Sequence, residues 1–202
     1  ALSPEEMQEL LSTIPEHLQQ EETKLRLAAE AYVGSCPVRV GDVVSFPTWQ
    51  MHSLQHGVRV IEFQTPHYER MIVMFGQKVL TQDHWNTEEA LAGMKPEVYQ
   101  PPQPELIWQQ DGVRCERVVD FPDFDAFRLF VPVGQRIKLE GKGNYQLLMG
   151  VEGYGQLLVG GESCGTVRHE EGWMIPAVTD DCWLESRGTG DLICLQAIPK
   201  SS

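Results

Sequence analysis

The sequence predicts a mainly β fold of sandwich or jelly-roll type with a helical N-terminal segment. Three observations carry that prediction. From Leu106 to the end, glycines at 112, 134, 141, 143, 153, 155, 160, 161, 172 and 188 punctuate short apolar or alternating runs. Between Gly41 and Arg70 the chain reads as turn, β-prone run, tight turn and second β-prone run. Residues 3 to 33 instead set apolar side chains at helical spacing.

The helical segment occupies residues 1–34. Ser3-Pro4-Glu5-Glu6 offers a capping serine, a proline at the first helical position and acids in the first turn. Met7, Leu10, Leu11 and Ile14 form an apolar stripe, and Pro15 interrupts it. Pro15-Glu16 starts a second helix ending near Tyr32-Val33-Gly34. Both helices read as packing elements.

Residues 35–94 read as a partial first barrel. Val43-Val44-Ser45-Phe46 is one predicted strand, closed by Pro47, and Val58 to Phe63 is the return strand after Gly57. Met71 to Phe75 is an apolar run of strand length, and Asn86 or Thr87 caps a short helix ending near Gly93. Residues 95–110, with Pro96, Pro101, Pro102 and Pro104, read as a stiff linker. Residues 111–202 read as a jelly roll, with strands at 114–119, 127–131, 145–151, 156–159, 173–176 and 191–197.

Composition narrows the function. A chain of 202 residues holds one large domain or two small ones. No stretch has the length of a transmembrane helix, and the N-terminus lacks the layout of a signal peptide. A net charge of −13 argues against nucleic acid and against anionic membranes. The five cysteines are scattered without a C-x-x-C, which suits reduced thiols in a cytoplasmic protein.

The chemistry concentrates in one stretch. In the predicted hairpin His52 lies near one end and Glu62 along the return strand, and an imidazole with a carboxylate suits zinc, manganese or iron. A lone turn histidine is ordinarily just exposed, and a lone strand glutamate ordinarily faces solvent. By strand alternation Glu62 shares a face with Val58 and Val60, which would suit a half-apolar cavity. Arg59, Arg70 and Lys78 are the nearest cations, and Trp49, Tyr68 and Trp85 could stack on a sugar ring. His84 is a weaker ligand candidate, and His169 has no visible partner.

The same residues carry a resemblance. GDVVSFPTWQMHSLQHGVRVIEFQTP resembles the cupin segment of type I mannose-6-phosphate isomerases, in which G-D and a hydrophobic pair precede P-A-G-T-x-H-A, a glycine turn and a strand ending E-x-Q. Pro47, His52, Gly57, Glu62 and Gln64 fall on that pattern, while Thr48-Trp49-Gln50 replaces Ala-Gly-Thr. The resemblance makes His52 a zinc ligand and Arg70 the catalytic arginine, although the segment before Arg70 is shorter than the family's and lacks its Ser-Asp. LLMGVEGYGQLLVGGE, VRHEEGWMIPA and GDLICLQAIP are similar to the second cupin of the same isomerases, without a histidine after the Pro-Ala. The implied fold is therefore two cupin jelly rolls, the first incomplete and the second structural and metal-free.

The family's Gln-x-His ligand pair and its earlier glutamate have no counterpart before residue 41, so the chain resembles the C-terminal part of such an isomerase. An open half-barrel is a liability. A longer N-terminal region, a partner chain in a homo-oligomer, or the helices of residues 3–33 are expected to cover it.

The resemblance implies a zinc-dependent aldose–ketose isomerase acting on a sugar phosphate. His52 would bind the metal, Arg70 would stabilise the developing oxyanion, and Glu62 would serve as ligand or base. The alternative is a non-catalytic cupin binding a sugar or another small polar metabolite, which the altered histidine turn favours. A metal-dependent oxygenase is a third reading and would draw on His56 and His67 beside His52.

Overall fold

The structure of the chain is a computed structural model. It describes residues 3, 5, 6, 9, 12–55, 57–65, 71, 73, 86–97, 100–141 and 143–200. Two compact units are present. One comprises Ala1–Asp42, Phe46–Val58 and Pro66–Val98, and the other Val43–Ser45, Arg59–Thr65 and Tyr99–Ser202.

In the first unit Ser3 and Glu6 form a reciprocal capping box. The Ser3 N–H donates to Glu6 Oε2 at 2.7 Å and the Glu6 N–H to Ser3 Oγ at 3.2 Å. Helix α1 (Glu16–Glu30) begins directly after Pro15. Arg26 lies between Glu22 and Glu30, at 3.3 and 3.0 Å, and Thr23 Oγ1 donates to the Gln19 carbonyl. The sequence marks this helix as a packing element, but its apolar side chains are exposed: Leu18, Leu25 and Leu27 are 51, 52 and 57 % exposed. Leu25 and Leu27 lie about 200° apart around the helix, too far to share one face. Helix α2 (Thr87–Gly93) follows Asn86, carries Glu88 and Glu89 in its first turn and buries Ala90.

The second unit holds every strand found among the described residues. These are β1 (Glu105–Gln110), β2 (Val113–Asp120), β3 (Phe124–Val131), β4 (Arg136–Lys138) and β5 (Gln146–Glu152). They continue as β6 (Tyr154–Val159), β7 (Glu162–Arg168), β8 (Gly172–Ile175), β9 (Cys182–Ser186) and β10 (Leu192–Pro199). One sheet runs β1-β2-β3-β10-β5-β8 and the other β4-β9-β6-β7. From β3 onward successive strands cross between the sheets, except for the β6–β7 hairpin, and every pairing is antiparallel. That order is an eight-stranded jelly roll, the architecture of cupin barrels, with β1 and β2 added at one edge.

The interior follows from period-two alternation. Leu129, Val131, Leu148, Ile175, Leu192 and Cys194 of the larger sheet meet Ile137, Leu157, Val167, Cys182 and Leu184 of the smaller one, all buried. Two amides are buried as well: Gln146 and Gln196 are 2 and 5 % exposed, and Gln196 Nε2 donates to Gln146 Oε1. The Glu-Gly-x-Gly stretch at 152–155 has a steric reason. Gly153 has φ +81° and lies against the Asp191 carbonyl, and Gly155 faces Leu192 Cδ2 and the Glu185 carbonyl, so a Cβ at either position would collide.

Two expectations change. The hairpin predicted at 43–46 and 58–63 is absent: neither run is strand among the described residues. β-propensity reflects fit to a half-buried pleated surface rather than an intrinsic backbone preference, so a β-prone run need not become a strand. Strand β1 also occupies the second half of the stretch read as linker.

Candidate functional site

The turn bearing His52 is built on strain. The Gln50 N–H donates to the Pro47 carbonyl at 3.1 Å, closing a four-residue turn. Its third residue, Trp49, has φ +71°. Glycine is the usual residue at that position because a Cβ clashes there, and a bulky side chain costs about 1–3 kcal/mol. Two contacts hold Trp49 in place. Its carbonyl accepts from the Lys95 N–H at 3.0 Å, and its indole fills the space over Gly93, where a Cβ would come within 2.6 Å of the ring.

The turn brings the Gln50 carbonyl to His52. Nδ1 of His52 lies 2.9 Å from that oxygen, and its imidazole stacks on Phe46 with ring centroids 4.0 Å apart and planes 8° from parallel. A carbonyl only accepts, so Nδ1 carries the proton and the neutral ring keeps its lone pair on Nε2. Metal-ligating histidines are commonly oriented in this way by a backbone carbonyl. His52 is exposed.

Glu62 is exposed too. Alternation holds along 60–65, but Ile61, Phe63 and Thr65 take the sheltered side while Val60, Glu62 and Gln64 face outward. Arg70, His56, His67, Tyr68, Lys78, His84 and Trp85 lie outside the described residues. Arg59, one of the cations nearest the site in sequence, forms an ion pair with Glu170. His169 has partners after all: Nδ1 donates to the Val151 carbonyl at 2.6 Å and Nε2 lies 3.4 Å from Glu170 Oε1. Its carbonyl acceptor sits 18 residues earlier in the chain, on β5, which local sequence does not reveal.

Zinc takes three or four ligands. No group of three or more His, Cys, Asp and Glu side chains gathers among the described residues, so these residues do not by themselves make a zinc centre. Burial pushes the Cys182 thiol up to about 11 and the Cys194 thiol up to about 12, so neither supplies a thiolate near neutrality. No helix among the described residues is long and apolar enough to cross a membrane.

A second constellation was not legible in the sequence. Lys200 Nζ bonds Asp120 and the Phe121 carbonyl (2.6 Å) and lies 3.2 Å from Asp125. Arg117 pairs with Glu105 at 2.6 Å and Asp120 at 3.2 Å. The hydrogen bond from Lys200 holds the Asp120 carboxyl below its ordinary value, and the same bond holds the Lys200 ammonium above its own. Ser45, Gln103, Glu105, Arg117, Asp120 and Phe121 line a shallow recess beside this network. The cations there are already engaged by carboxylates.

No protein-family model matches the chain, and no curated protein matches it. Among solved structures it is similar to the mannose 6-phosphate isomerase from Bacillus subtilis at 13 % identity, over 56 % of this chain and 34 % of that one, with a TM-score of 0.46. It is similar to KdgF from a Halomonas species at 15 % identity, over 48 % of this chain and 89 % of that one, with a TM-score of 0.40. A Cupin 2 conserved barrel domain protein from Salinispora arenicola CNS-205 matches at 13 % identity over 44 % of this chain and 76 % of that one, with a TM-score of 0.38.

Proposed function

We propose that this chain is a mannose-6-phosphate isomerase-like cupin protein of the cytoplasm that takes a sugar or sugar phosphate at the His52 turn. The observation that supports this most is the turn itself. A conformation that ordinarily asks for glycine is kept with tryptophan in its place, and it delivers a carbonyl to Nδ1 of His52. Strain retained at one turn is a pointer to function rather than to packing.

In this reading Nε2 of His52 is one ligand of a divalent metal, zinc foremost, and the other ligands come from outside the described residues or from another copy of the chain. A bound metal would supply Lewis-acid polarisation of the sugar oxygens. In the isomerase reading Glu62 would serve as ligand or base and Arg70 as the cation for the developing oxyanion.

A second reading is binding of a sugar or small polar metabolite without turnover. The altered histidine turn favours it, with Trp49 at φ +71° where the resembled motif carries glycine.

Elemental mass spectrometry of the purified protein and of His52→Ala, followed by a coupled assay with mannose 6-phosphate, separates the two. About one metal per chain, lost in the variant, with turnover above the enzyme-free control, is the expected result. Thermal stabilisation by the sugar phosphate without turnover would replace isomerisation with binding. Neither turnover nor stabilisation would sink both.

A further inference from the structure

We propose that the free side of strand β8 is an interaction surface for a second copy of this chain, and that the two copies join there into one continuous sheet. This goes beyond the reading of the His52 turn and does not depend on it.

Among the described residues each sheet ends in two strands with one free side: β1 and β8 in the larger, β4 and β7 in the smaller. An open edge offers unpaired N–H and C=O groups to any passing strand, so folded chains protect their edges with charges, bulges and prolines. Three of these edges are protected in that way. β1 begins with Glu105 after Pro101, Pro102 and Pro104, and its ladder to β2 is bulged between Leu106 and Trp108. β4 is three residues long and carries Arg136 and Lys138. β7 carries Glu162 and Arg168, and its ladder to β6 is bulged as well. β8 is Gly172-Trp173-Met174-Ile175, with no charge, no proline and an unbroken register to β5. The edge without such devices is the edge left open to pairing.

The two faces of β8 set the register. Trp173 points inward, packs against the core and donates from Nε1 to the Thr166 carbonyl at 3.0 Å. Met174 points outward and is 66 % exposed, beside its register partner Leu147, which is 38 % exposed. A two-fold axis perpendicular to the sheet leaves each face on its own side, so only residues of like face lie opposite each other. Centring the axis on Met174 sets Met174 against the partner's Met174, Trp173 against the partner's Ile175 and Glu171 against the partner's Ala177. Centring it on Trp173 would instead set the Glu171 carboxylate beside the partner's Ile175, an apolar and buried side chain.

Charge selects the antiparallel arrangement. Glu170 and Glu171 precede β8, whereas Pro176-Ala177-Val178 follow it uncharged. Antiparallel pairing lays the acidic end of each copy beside the uncharged end of the other, while parallel pairing would set the acids of both copies side by side. Glu170 is already met by Arg59. The Met174 and Leu147 side chains of both copies then close one apolar patch about the axis.

Sedimentation velocity of the full chain over a concentration series reads the association. The wild type is expected to show a dimer in equilibrium with monomer, and Met174→Leu to keep it. Met174→Asp is expected to weaken it about a hundredfold or more, because two carboxylates would meet at the axis. Ile107→Asp, on the edge of β1, is expected to leave it unchanged. A wild type that is monomeric at every concentration overturns the proposal, as does a dimer that Met174→Asp leaves intact or that Ile107→Asp abolishes.

Hydrogen exchange gives a second readout. The β8 amides directed away from β5 are expected to gain protection as the wild type passes from dilute monomer to dimer, and to show no gain in Met174→Asp. Amides of β10 are expected to stay protected throughout, which reports that the variant is folded. Edge amides of β8 that are equally protected in dilute and concentrated wild type would show that the chain itself covers this edge, and would overturn the proposal.

Discussion

At the scale of single residues, Trp49 decides how the site is made. A tryptophan at φ +71° persists only if its surroundings over-determine it, and here Gly93 and Lys95 do so from the end of α2. Gly93→Ala should therefore displace the indole and loosen the Lys95 N–H bond to Trp49. Native-state hydrogen exchange should show the Lys95 amide losing protection about tenfold or more while amides of β10 stay unchanged. Unaltered protection at Lys95 would mean that the ring is not what holds the turn. The proline, the histidine and the spacing between them were legible in the sequence. The positive φ was not, because the residue that normally announces it is missing and the compensating glycine lies 44 residues downstream.

At the scale of elements, the jelly roll was the legible part. Glycine-punctuated alternating runs at 114–119, 127–131, 145–151, 156–159, 173–176 and 191–197 coincide with β2, β3, β5, β6, β8 and β10. Strands β4, β7 and β9 escaped because they are short or polar on the outside, and β1 because the prolines before it masked it. The runs at 43–46 and 58–63 looked as good as any of these, yet are not strand among the described residues, since a β-prone sequence becomes a strand only where the tertiary context supplies a fitting pleated surface. The buried pair joining β5 and β10 allows a test of how the barrel tolerates polarity. Gln146→Leu or Gln196→Leu alone leaves one buried amide unpaired and should lower stability by about 1–3 kcal/mol. The double substitution should lower it by less than the sum, measured by urea unfolding. Strict additivity would show that the two amides do not depend on each other.

At the scale of the whole molecule, an excess of acid is met by a few well-placed cations, and the pairs around Lys200 tie the last strand to the β2–β3 turn. The sign of the pH dependence follows from the shifts. Asp120 is lowered on folding, so its contribution is present above its ordinary value of 3.8 and fades as pH falls through the lower folded value. Lys200 is raised, so its contribution is present below its ordinary value of 10.5 and fades as pH rises through the higher folded value. Stability measured against pH should thus fall at both extremes, and Lys200→Met should flatten part of each decline. A curve that Lys200→Met leaves unchanged in shape would show the pairs to be fully screened by solvent.

The order of strands has a further bearing on descent. β10 is bonded to both β3 and β5, so a change in it is felt on two sides, whereas β1, among the described residues, is bonded to β2 alone and stands outside the eight strands that complete the jelly roll. Inheritance can experiment at that margin, lengthening, shortening or discarding the outermost strand, while the centre keeps the lineage recognisable.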